Sequence, residues 1–225
     1  MIIKKQIFLI LITILTLSSC NWLEPEIEQS NQIYQTAATL IHDISGKNLF
    51  LTDDSLKLQP IKEIIIPDNK KDSLLNKRYF ITFQITEQNT SLYTINLLSS
   101  QQMREIPIIP IQSINDTTKY INQTLLLKNL WITSSYLNII TEIQGSSQKL
   151  HNYNLLLYPT SSTDTLHLIM RYDNNMDSAI YTLQEATTYN LKEYINTEQD
   201  SVIIRFNYNS YFPKYNTIYI KTSTK

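Results

Sequence analysis

Alternation with a period of two runs through most of this chain, and it leaves few folds open. In RYFITFQI, Tyr79, Ile81, Phe83 and Ile85 share one face, and in SLYTINLL, Tyr93, Ile95 and Leu97 do the same. SVIIRFNY sends Val202, Ile204, Phe206 and Tyr208 one way and Arg205 and Asn207 the other. Such alternation marks strands with one buried face, and Val, Ile, Thr and Tyr suit a pleated surface. Strands are expected near 33–42, 48–52, 61–66, 79–86, 91–98 and 103–111, then near 124–133, 136–145, 149–158, 165–172, 180–184, 201–208 and 216–222. DSLLNKR and NLKEYI could form short helical turns, the second with Asn190 and Glu193 at capping-box spacing. Two prolines and a polar stretch in IPIIPIQSINDTTKY place a domain boundary near residue 114.

Glycine is nearly absent, with Gly46 and Gly145 alone in 225 residues. Phosphate-cradling loops and dinucleotide turns need several glycines for close backbone approach, so neither motif can be written here. Turns must use the many asparagines, which tolerate left-handed dihedrals. The nearest thing to a basic patch, Lys70, Lys71, Lys77 and Arg78, is interrupted by Asp72, which argues against a nucleic-acid partner.

The N-terminus supplies an address. Lys4 and Lys5 precede an uncharged apolar run from Gln6 to Leu17, the length of a signal-peptide core and too short to span a bilayer. Leu17-Ser18-Ser19-Cys20 then reads as a bacterial lipobox, with Cys20, the single cysteine of the chain, as the residue that takes the lipid. The bland alternative is a buried free cysteine behind an ordinary cleaved signal. Residues 1–19 would be removed and 20–30 would form a tether carrying Glu24, Glu26 and Glu28. Several acyl chains on one residue hold a protein stably to a membrane, whereas one does so marginally. Loss of Lys4 and Lys5 leaves 17 cationic against 20 acidic residues. With one cysteine, no intrachain disulfide can form.

LWITSSYLNI at 130–139, His151 followed by NLLLY, and LHLIMRYDNNMD at 166–177 resemble the C-terminal half of NigD-like lipoproteins of Bacteroides and Prevotella relatives. Asp53-Asp54 with Leu58 and Pro60, then RYFITF, is similar to the family's acidic turn and following strand. The resemblance implies an all-β chain, with an N-terminal OB-like β-barrel over 31–114 and a C-terminal Ig-like β-sandwich over 115–225. It implies a bacteriocin-associated immunity or accessory role. In this chain Tyr172-Asp173 stands where the family has His-Asn. Acidic residues soon after the lipidated cysteine resemble a surface-export signal of such bacteria, which points to the outer membrane and its outer face.

The polar cluster singled out for binding is His151, Arg171, Asp173 and Asp177, with Tyr136 beside it. Alternation along LHLIMRYD puts Leu166, Leu168, Met170 and Tyr172 on one face and His167, Ile169, Arg171 and Asp173 on the other. Arg171 could pair with Asp173 or grip a carboxylate bidentately; a plain cross-strand ion pair is the simpler expectation. If the Leu137 and Ile139 face is core, Tyr136 and Asn138 point away from it, while Trp131 is expected to pack. Six of the ten aspartates precede Ser or Thr, at Ser55, Ser73, Thr117, Thr165, Ser178 and Ser201. These triplets resemble an O-glycosylation signal of exported Bacteroides-type proteins, although Asp-Ser and Asp-Thr are also ordinary turn pairs.

Catalysis finds little support. His42, His151 and His167 lack metal-binding spacing, no nucleophile-elbow motif occurs, and the one thiol is assigned to lipid. No cofactor is expected. The chain therefore reads as a non-enzymatic, lipid-anchored envelope protein, its partners being membrane lipid through the acyl chains and an envelope protein, peptide or glycan. The alternative is a glycan- or nutrient-binding accessory of an outer-membrane uptake system.

Overall fold

The computed structural model describes residues 32–133, 135–146, 149–159, 165–195, 201–212 and 216–223. The signal peptide, Cys20 and the tether lie outside the described residues. Fourteen strands make up most of the described chain. Five of them, β1 (Ile33–His42), β2 (Asn48–Thr52), β3 (Lys57–Pro60), β4 (Arg78–Gln88) and β5 (Leu92–Gln102), close a barrel in the order β1-β2-β3-β5-β4. Every pairing is antiparallel except β3 with β5, the arrangement of an OB-type barrel. Its interior is filled by the alternating faces expected from sequence: Tyr79, Ile81 and Phe83 of β4 and Ile95 of β5 meet Phe50 and Leu58.

The sandwich has a five-stranded sheet, β14-β13-β11-β10-β7, and a four-stranded sheet, β6-β12-β9-β8. The strands are β6 (Arg104–Glu105), β7 (Ile108–Pro110), β8 (Leu126–Thr133), β9 (Tyr136–Gly145), β10 (Asn152–Tyr158), β11 (Thr165–Asp173), β12 (Tyr181–Asn190), β13 (Ser201–Asn207) and β14 (Thr217–Ser223). Leu137, Ile139 and Tyr189 of the smaller sheet meet Leu155, Leu168, Met170, Ile204 and Phe206 of the larger in one core. Three pairings in the sandwich are parallel: β7 with β10, β11 with β13, and β6 with β12.

Three local expectations differ from the structure. Residues 61–66 form no strand; the pairing segment is 57–60, and Ile64 and Ile66 pack on the barrel core without a ladder. The apolar run there signals burial, while Pro60 and Pro67 at its ends remove donors that a strand would need. The segment 103–111 breaks at Pro107 into β6 and β7, which join different sheets. The chain therefore enters the sandwich at Arg104, ahead of the boundary drawn at 114. NLKEYI makes a turn in which Asn190 accepts from the Lys192 N–H, whereas a capping box forms at Ser113 and Asp116, opening the 3-10 helix Ile114–Lys119.

Strand β9 is buried on both faces, and this explains how the two halves meet. Leu137 and Ile139 face the sandwich core; Asn138 and Ile140 face the barrel. Ala37 and Phe80 of the barrel, Met103, and Ile140, Ala186 and Trp131 of the sandwich form one apolar seam. The Phe80 and Trp131 rings lie 5.6 Å apart.

Candidate functional site

Beside that seam lies a buried polar knot. Arg78 opens β4 and points out of the barrel, the face opposite Tyr79. Its Nη1 and Nη2 donate to Asp53 Oδ1 and Oδ2 at 2.7 and 2.8 Å, a bidentate pair with side chains 3% and 10% exposed. Nη2 also donates to Asn138 Oδ1 at 3.3 Å, and the guanidinium carbon sits 3.8 Å from the centre of the Tyr136 ring. Asn138 is completed by Thr188 Oγ1, which donates to its Oδ1 at 3.0 Å, and by donation to Thr133 Oγ1 at 2.8 Å. Tyr136 thus points away from the Leu137 face as expected, but it meets Arg78 of the barrel. Burial raises its hydroxyl pKa, with Arg78 opposing. The knot joins barrel to sandwich through both Nη atoms of Arg78, its buried Nε alone lacking a partner, which suits a structural clamp.

The predicted cluster divides between two faces. His151, 1% exposed, lies at the start of β10, where Tyr172 of β11 and Asp177 of the following turn enclose it. Tyr172 Oη is 2.6 Å from Nδ1 and Asp177 Oδ2 is 3.2 Å from Nε2. Donation from the Tyr172 hydroxyl to Nδ1 and from Nε2–H to Asp177 satisfies every group. Tyr172 thus has a defined place, and burial pushes its hydroxyl above the ordinary range. Asp177 also accepts from the Ser146 hydroxyl, from the Ser146 N–H at 2.7 Å and from the Ser178 N–H at 2.8 Å. The Ser146 hydroxyl thus donates to Asp177 Oδ1, on the carboxylate that also faces His151.

These donors, led by the Ser146 hydroxyl and backbone, hold the Asp177 carboxyl well below its usual range. A depressed folded-state pKa contributes stability that is complete above the unfolded value of about 4 and is lost as pH falls toward the folded one. Asp177→Asn is therefore expected to flatten the acid limb of the stability profile below about pH 5. Urea midpoints across that range check it; an unchanged slope would exclude Asp177 as the source.

Arg171 and Asp173 do not pair. Asp173 accepts from Asn152 Nδ2 and from the Asn175 N–H, closing the turn. Arg171 lies across the sheet from His151, on the outer face, and makes no ion pair with a described residue. It shares a cleft of about 350 Å³ with Arg205, His167, Asn207, Asn209 and Asn216. The register explains this grouping: β11 and β13 run parallel, with His167 opposite Arg205 and Ile169 opposite Asn207. The alternation already showed both arginines facing outward, but the parallel pairing that unites them has no local signal.

Among the Asp-Ser/Thr positions, Ser55, Ser73 and Ser178 are exposed, whereas Thr165 and Ser201 stand in β11 and β13. Thr117 departs from the expectation for an acceptor: it is 5% exposed and its hydroxyl donates to the Ile114 carbonyl. Among the described residues no three His, Cys, Asp or Glu side chains are grouped to hold a metal ion.

The family description that matches is the NigD-like C-terminal beta sandwich domain, over residues 107–222. The chain belongs to the NigD-like family. No curated protein sequence matches it. Three solved structures repeat the two-part fold. A Bacteroides vulgatus protein of unknown function is 19% identical with a TM-score of 0.65, covering 85% of this chain and 90% of its own. A NigD-like immunity protein from Bacteroides caccae is 15% identical with a TM-score of 0.61, covering 87% and 98%. A candidate lipoprotein from Bacteroides fragilis is 13% identical with a TM-score of 0.54, covering 86% and 99%. At these identities the likeness establishes the fold, and the NigD-like match ends three residues before the C-terminus, inside β14.

Proposed function

We propose that this NigD-like chain is a lipid-anchored protein of the cell envelope that works as a non-enzymatic interaction module. Family membership over residues 107–222 carries the reading, because the relatives of that fold include a NigD-like immunity protein and a candidate lipoprotein. The lipobox ending at Cys20 supports the anchor, and the acidic tether supports display at the outer membrane. The engagement of His151, Asp177 and Tyr172 with one another supports binding over catalysis, as does the clamp that makes one body of barrel and sandwich. A second reading, a glycan- or nutrient-binding accessory of an uptake system, draws on the exposed rings of Tyr211, Phe212 and Tyr219.

Growth with an alkyne-tagged fatty acid tests the anchor. The native protein should take up label and remain with the membrane fraction, and Cys20→Ala should lose both properties. Label or membrane retention undiminished in Cys20→Ala would remove the anchor from the account.

A further inference from the structure

The chain has four arginines, and the structure treats them in two ways. Arg78 is held by Asp53, and Arg104 reaches Glu185 at 3.5 Å and the His151 carbonyl at 2.9 Å. Arg171 and Arg205 have neither an ion pair nor a side-chain hydrogen bond with a described residue, yet both line the same cleft. The Nε of each is shut off from solvent without an acceptor, as is that of Arg78, so what sets the two apart is that their Nη atoms also lack a partner among the described residues. Burial lowers the Arg171 pKa with no neighbouring charge to oppose it. The Nη ends are the part of each guanidinium left open to the cleft, and an anion there would neutralise a charge that no described carboxylate meets.

The surroundings favour the same occupant. Among the described residues no carboxylate lines the cleft; beside the arginines its polar groups are His167 and asparagines, with Ile169 and Tyr208 as apolar wall. His167 Nε2–H donates to Asn207 Oδ1 at 2.9 Å, and Asn207 in turn donates to Thr217 Oγ1 at 2.7 Å, so the floor between the arginines is fixed. Two guanidiniums from different strands, Arg205 beside His167 and Arg171 four residues further along β11, offer more N–H donors than one carboxylate can accept in good geometry, whereas an oxyanion carried on an organic body can occupy a cleft that both line. The volume lies within the range of about 300–1,000 Å³ typical of small-molecule sites, more than a bare ion needs.

We infer that the outer-face cleft of β11 and β13 binds an oxyanion ester, a phosphate or sulfate group carried on a small organic body, with Arg171 and Arg205 as its two anchors. The inference gives a ligand chemistry to the binding module proposed above and rests on that reading. Its test needs no anchor or partner, so the two can fail separately.

The experiment is calorimetric titration of the full-length protein in detergent with glucose 6-phosphate, glucose 6-sulfate, glucose and inorganic phosphate. Saturable binding of either ester is expected, with none for glucose, competition by inorganic phosphate, and weakening by salt. Arg171→Gln and Arg205→Gln should each reduce affinity about tenfold or more, and the double variant should abolish binding. Neither change removes a hydrogen bond or ion pair with a described residue, so melting temperatures should stay level or rise. No saturable heat with either ester, or binding unchanged in the double variant, would overturn the inference. Association with phosphatidylglycerol vesicles but not with soluble esters would also overturn it, by making the arginines a membrane contact.

Discussion

Asp53→Ala should destabilise the protein by about 3–5 kcal/mol, the cost of breaking a buried ion pair from one side. The variant leaves Arg78 with its side chain 3% exposed and its bidentate partner gone. What remains is one long hydrogen bond to Asn138 and the face of the Tyr136 ring. Neither neutralises the charge. Because Asp53 and Arg78 belong to the barrel while Tyr136 and Asn138 belong to β9, loss of the clamp should also loosen the coupling of the halves. The double variant Asp53→Ala/Arg78→Met should recover much of the loss, since replacing both partners by apolar atoms removes the stranded charge. Urea unfolding of the three variants checks this. A cost below about 1 kcal/mol for Asp53→Ala would mean that solvent reaches Arg78 and that the pair behaves as a surface bridge.

Gly145→Ala should cost about 1–3 kcal/mol, the range for overpacking at a well-filled site. The reason is space. A methyl group at Gly145 would lie 2.8 Å from Asp177 Oδ2 and 3.2 Å from the His151 ring. Asp177 cannot easily retreat, because Ser146, Ser178 and His151 together fix both of its oxygens. Expected signs are a lower unfolding midpoint and shifted His151 ring resonances. An unperturbed His151 spectrum with unchanged stability would contradict the packing described around this turn. Gly46, by contrast, is required for its backbone: its φ is +82°, with open space around it.

Much of the fold was legible because burial on one face writes alternation directly into a strand. The interiors of β4, β5 and β13 follow that rule residue by residue. The rule loses force on β9, where Asn138 and Ile140 are buried on the face that alternation leaves to solvent. Phe80 beside Arg78, both on the outward face of β4, was the available sign that something covers the barrel there. The candidate cluster was half legible. His151 and Asp177 do meet, but Arg171 sits on the other side of its strand, as its own alternation required. The partners Asp53 for Arg78 and Arg205 for Arg171 come from distant segments brought together by tertiary structure, and nothing local announces such pairings.

The central claim is that the chain is an anchored binding module. Its most direct test is crosslinking in living cells followed by affinity capture, with the native protein compared against Cys20→Ala. The account predicts an envelope protein or peptide that is crosslinked to the native form, is absent from Cys20→Ala, and binds the purified protein in a separate titration. A native protein abundant at the membrane that captures nothing, or the same set captured by both forms, would contradict it.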